Sequence, residues 1–77
     1  VIVVRVSTIG DRGQLLTREE SSATVRDAVH AACEKWFGAT GKYGCLEPVG
    51  PGLSRWKLSF GVVHKRIDAE IVERESA

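Results

Sequence analysis

No methionine occurs in this chain of 77 residues, and there are only two cysteines and one tyrosine. Two cysteines, Cys33 and Cys45, make no disulfide framework. One falls in an expected helix and the other in an expected strand, so both are expected as free buried thiols in a reducing, cytoplasmic setting. No apolar run approaches the ~20 residues of a membrane span, and no signal-peptide pattern is visible, so no membrane partner is expected. Neither sign of charge dominates. Eleven Lys and Arg stand against ten Asp and Glu, and a net +1 gives no strong global field toward nucleic acid or membranes. With Val1 first and no methionine, the chain is expected to be processed, trimmed or cut from a longer protein. There is no internal repeat, low-complexity segment or second domain, which leaves one domain over residues 1–77.

So short a chain buries only about 60–65% of its unfolded surface, enough for one helix against one small sheet. A pocket enclosing a metabolite would consume much of that core. The expectation is therefore no enzyme and no cofactor.

What is present is periodic. Residues 1–9, VIVVRVSTI, are rich in β-branched side chains and predict a strand, with Ile2, Val4 and Val6 on one face and Val1, Val3 and Arg5 on the other. Gly10-Asp11-Arg12-Gly13 is turn chemistry, and residues 14–18 predict a shorter second strand paired antiparallel to the first, an expected sheet edge. Residues 19–22 are polar and read as a lead into the helix.

The helix is the clearest local signal. Thr24 is placed to cap it, with Asp27 three residues on, and Gly38 stands where helices commonly stop. Val25, Ala28, Val29, Ala32, Cys33 and Trp36 recur in steps of three and four and predict the buried stripe. Arg26, Asp27, His30, Glu34 and Lys35 take the opposite face. Trp36 and Phe37 are adjacent, so they cannot both point straight inward, and an exposed aromatic beside Lys35 would suit a partner.

GATGK, at residues 38–42, resembles a phosphate loop only superficially. Trp36 stands where the first glycine belongs and Tyr43 where Ser or Thr must follow the lysine. Residues 43–49 predict a third strand, with Pro48 fit for an edge or a strand end. Gly50-Pro51-Gly52 is a turn. In residues 54–63 Trp56, Leu58, Phe60 and Val62 alternate with Arg55, Lys57 and Ser59, with Gly61 a candidate bulge. Residues 67–73 have both strand and helix spacing, with the alternation of Ile67, Ala69 and Ile71 favouring a strand.

Hairpin, capped helix, then more strands resembles the order of the ubiquitin-like β-grasp superfamily. Ser22-Ala23-Thr24-Val25-Arg26-Asp27-Ala28-Val29 is similar to its helix entry, and ATVRDAVHAACEKWFG, from Ala23, resembles the helix of Ras-association-type domains. The resemblance implies an α+β domain of ββαββ(β) order, with the helix packed on a mixed sheet of four or five strands. It also implies a binding scaffold, not a catalyst. Arg18 and Lys35 are the nearest equivalents of the basic contacts used by Ras-association domains. The chain ends Arg74-Glu75-Ser76-Ala77 without the activated Gly-Gly of conjugated modifiers and sulfur carriers, and it lacks the four-cysteine cluster of β-grasp ferredoxins.

Two functions remain open. The first is a protein–protein interaction module or accessory subunit, presenting an edge strand or a patch around Arg18, Lys35 and Phe37, with a homodimer through a sheet edge also compatible. The second is a small nucleic-acid binder. Between residues 42 and 66 there are five basic residues and one acid. Arg55, Lys57, Lys65 and Arg66, with Tyr43 and Trp56 nearby in sequence, could hold phosphates and an exposed aromatic could stack a base, although Trp56 points opposite to Arg55 and Lys57 and is expected in the core. A zinc set of His30, Cys33, Cys45 and His64 has no zinc-finger spacing, so no metal is expected.

Overall fold

The computed structural model describes residues 1–10, 12–38 and 45–74, without the side chain of Phe60. Asp11 of the first turn and Gly41, Lys42, Tyr43 and Gly44 of the glycine-rich connection lie outside the described residues, as do positions 75–77. The elements are β1 (Ile2–Ile9), β2 (Leu15–Ser22), α1 (Val25–Phe37), β3 (Cys45–Pro48), β4 (Arg55–Phe60) and β5 (Val63–Arg74). The strands form one five-stranded sheet in the order β2-β1-β5-β4-β3. The domain is α+β, one helix packed on a small sheet.

The sheet is antiparallel in every pairing, not mixed. The reason lies in the tight turns. Gly50, Gly52 and Gly61 take φ of 74°, 84° and 57°, which side chains with a Cβ resist. The chain reverses at each turn region, so β3, β4 and β5 alternate in direction, and β5 arrives beside β1 running opposite to it. Gly61 is therefore a hairpin turn and not a bulge: Phe60 pairs with Val63 across a Gly61-Val62 loop. Val62 consequently leaves the alternating pattern and is 94% exposed. An irregularity lies in the β1–β5 ladder, where Val3 and Val4 face Glu73 and Ile71, and Val72 is the extra residue.

β2 continues to Ser22, past the expected end at Arg18. Its polar second half stays in register because it has partners: Glu19 opposite Arg5, and Glu20 opposite Val4. The last segment is a strand throughout.

The helix begins as its sequence requires. Thr24 has extended backbone, and its Oγ1 accepts a 3.1 Å hydrogen bond from the Asp27 N–H. Gly38 closes the other end with its N–H donating to the Glu34 carbonyl. Ala28, Val29, Ala32 and Cys33 are buried, with Val25 and Trp36 half-buried at the ends of the stripe. They pack on Val4 and Val6 of β1, Trp56 and Leu58 of β4, and Ile67 and Ala69 of β5. All of the core therefore lies on one side of the sheet. The other side carries no layer of chain among the described residues and displays Arg5, Glu19, Arg55, Lys57, Arg66, Asp68 and Glu70.

Candidate interaction surfaces

Alternation along β2 sends Leu16, Arg18, Glu20 and Ser22 to the helix side, where a strand's even positions share a face. Glu20 is the node of this strip. Its carboxylate accepts from Lys35 Nζ at 2.9 and 3.2 Å and from Arg18 Nε at 3.0 Å. Its side chain is 8% exposed, against 39% for Arg18 and 52% for Lys35. The Lys35 hydrogen bond holds the carboxyl below its ordinary range, with Arg18 adding to the effect and desolvation opposing it. The cluster ties the edge strand to the helix.

Arg18 and Lys35 are thus brought together, and Phe37 is not. Two residues apart on a helix, Lys35 and Phe37 stand roughly 200° apart. Phe37 is half-buried against the core, with its ring centroid 6.1 Å from that of Trp36. Lys65 Nζ lies 5.7 Å from the centroid of the Phe37 ring.

The second basic set divides in the same way. Arg55, Lys57 and Arg66 share the open face, whereas Lys65 takes the helix side and donates to the Ile9 carbonyl at 3.1 Å. Lys57 and Arg66 are direct cross-strand partners, an unfavourable like-charge pair relieved by Glu47 at 3.5 Å from Lys57 and Asp68 at 3.3 Å from Arg66. Arg55 stands opposite Asp68. A concavity of about 360 Å³ lies over Arg55, Lys57, His64 and Arg66. Trp56 cannot stack on a ligand base there. It is 1% exposed, its indole N–H donates to the Leu53 carbonyl at 2.7 Å, and Arg26 lies over its ring at 5.3 Å. Tyr43, the other aromatic expected there, is outside the described residues.

The four zinc candidates are dispersed. Cys33 is in the core, and burial pushes its thiol up to about 11, away from thiolate chemistry. His30 sets its ring edge-on to Trp56 at 6.4 Å. Cys45 is exposed, not buried as expected, because its place opposite Ser59 puts it on the open face, where His64 also lies. Among the described residues no three His, Cys, Asp or Glu side chains could hold a metal ion. His64 Nδ1 is instead 3.0 Å from Ser59 Oγ, and Ser59 stands cross-strand from Cys45. This row lies on an exposed strand pair, and no third group among the described residues orients the imidazole, so it lacks the support that an activated nucleophile needs.

Sequence reasoning missed Glu20 as the ionic node. Leu16, Arg18, Glu20 and Ser22 carry the period-two signal, but their polarity concealed it. It also missed the Ser59–His64 contact, which only the hairpin register brings about. No helix among the described residues is long and apolar enough to cross a membrane. Comparison of the chain with protein-family models, curated proteins and solved structures gives no match.

Proposed function

We propose that the chain is a non-catalytic protein–protein interaction module, or an accessory subunit of a larger assembly, that binds another protein by adding its strand to the outer edge of β2. The observation that carries this reading is the free edge itself. β2 runs eight residues and, among the described residues, has β1 as its one strand neighbour. The Gly10 N–H donates to the Gln14 carbonyl at 2.8 Å, which sets the phase of the ladder. Even-numbered residues of β2 therefore bond β1, and Leu15, Thr17, Glu19 and Ser21 turn their backbone groups outward. Those groups are what strand addition uses, and Arg18 and Lys35 lie beside them to steer an approaching partner. The ubiquitin-like β-grasp resemblance supports the reading through element order, hairpin then helix then further strands. A reducing, cytoplasmic setting belongs to the same reading, because Cys33 and Cys45 are both free.

The like-charge pair of Lys57 and Arg66 favours one second reading, a nucleic-acid surface on the open face with Arg55. Affinity capture from source-cell lysate, with and without nuclease, separates the two. Thr17→Pro removes an outward N–H and leaves the bonds to β1 intact. The expected result is one stoichiometric protein that survives nuclease and is lost with Thr17→Pro, while circular dichroism is unchanged. Capture indifferent to Thr17→Pro would overturn the edge assignment. Material that vanishes with nuclease and with Lys57→Glu would move the function to the open face.

A further inference from the structure

A second, interior edge exists in this sheet. β4 ends at Arg55, opposite Asp68, but β5 runs on to Arg74. The β4 side of the ladder gains one more bond, the Ala69 N–H to the Ser54 carbonyl at 2.9 Å, and then the chain turns away through the glycine loop. Beyond Ala69, β5 has β1 as its strand partner on one side and a notch on the other. Ala69 directs its amide toward the β4 side, so Ile71, two residues on, directs its own N–H and carbonyl into the notch.

The notch is shaped for side chains as well as for backbone. On the helix side it opens into a cavity of about 470 Å³ lined by Val25, Leu53, Ala69 and Ile71. Leu53 is 39% exposed there, and Val25 and Ile71 are half-buried at the margin of the core. On the open face the charge is acidic. Glu70 is 71% exposed, and Glu73 follows on the same face opposite Val3. Arg5, the cation beside Glu70 on this face, is shared between Glu19 at 3.2 Å and Glu70 at 3.7 Å. Arg55, one row away, is offset by Asp68 opposite it.

We propose that this notch binds an extended peptide segment of another protein whose apolar and basic residues alternate. The peptide continues the lane that β4 vacates and bonds the backbone of Ile71. Its apolar residues fill the groove between Val25, Leu53 and Ile71, and its basic residues lie over Glu70 and Glu73. This surface goes beyond the β2 edge and is separable from it, since Thr17→Pro leaves the notch intact.

The test uses the isotope-labelled full chain and two capped synthetic peptides, one alternating lysine with valine and one alternating glutamate with valine. The lysine peptide is expected to move the amide resonances of Ser54 and Ile71 and to leave Thr17 and Glu19 in place. The double variant Glu70→Lys/Glu73→Lys, on exposed positions that do not carry the fold, is expected to reverse the preference toward the glutamate peptide by about tenfold or more. No shift with lysine peptide up to about 1 mM, weaker than any useful recognition, would overturn the proposal. An unchanged preference in the double variant would overturn it too, as would shifts confined to β2. Concentration-dependent shifts of Ser54 and Ile71 without peptide would assign the notch to a second copy of the chain and overturn the peptide.

Discussion

Glu20 shows how one side chain can join two elements. A carboxylate at 8% exposure would be costly alone, and here Lys35 and Arg18 both donate to it. Both partners keep much of their hydration, so the cluster's worth is modest. Glu20→Gln is expected to cost on the order of 1 kcal/mol in denaturant unfolding. Its pH signature is more specific. The folded-state pKa lies below the ordinary carboxylate value, so unfolding takes up a proton between the two. The stabilisation is complete above the ordinary carboxylate pKa, near 4.5, and is lost as pH falls through the lower folded-state value. Thermal unfolding of the native chain should therefore drop more steeply than that of Glu20→Gln as pH falls below that point. Parallel curves for the two proteins would show that Glu20 is not held ionised by its partners.

Among the elements, the β4–β5 hairpin turns on a single glycine. Gly61 holds φ of 57° at the first loop position, and a Cβ placed there meets nothing within 4 Å. Any penalty of Gly61→Ala is thus conformational. Val62 has no positive φ, so the two-residue loop takes the type II′ form, whose first position favours glycine. About 1–3 kcal/mol of lost stability is expected by chemical denaturation for Gly61→Ala and Gly61→Asn alike. A loss for Asn well below that for Ala would mean that the first loop position is left-handed helical and not of the type II′ form. The same residue marks the limit of what was legible beforehand. The helix was readable to its caps, because Thr24, Asp27 and Gly38 act through local bonds. The faces of β1 and β4 were readable because Val4, Val6, Trp56 and Leu58 alternate cleanly. Gly61 reads locally as a bulge, and only the pairing of Phe60 with Val63 shows it to be a turn. The antiparallel β1–β5 pairing follows from that reversal, a contact between distant segments that no local pattern records. The candidate sites were less legible still. Lys35 and Phe37 are neighbours in sequence but diverge around the helix, and Lys65 leaves its basic companions by the parity of one strand position.

For the whole molecule, the two outer edges of the sheet and a face left bare by the described residues raise the question of whether copies of the chain pair with each other. The outer edge at β3 is short, four residues ending at Pro48, which offers little to a partner strand. The edge at β2 is long, but it opposes its own image. Two β2 strands related by a two-fold axis normal to the sheet pair antiparallel, and a residue on the axis faces itself. Registers centred on Arg18 or Glu20 set like charges directly opposite, and one centred on Glu19 sets Glu19 against itself while pairing Arg18 with Glu20 on either side, charges already engaged within each strand. Moving the centre out to Thr17 avoids this but leaves Ser21 and Ser22 unpaired and shortens the ladder. The charges in mid-strand thus discourage self-pairing while leaving the backbone available to a strand of complementary charge. The native chain is therefore expected to sediment as a monomer at concentrations up to about 100 µM, where a chance edge contact would stay weak. Glu19→Thr, which removes the central repulsion and adds a β-branched residue, is expected to raise self-association in the same measurement. A native dimer that Thr17→Pro dissolves would mean that the two-fold pairing tolerates its like charges, and β2 would then be occupied by a second copy before any other partner could reach it.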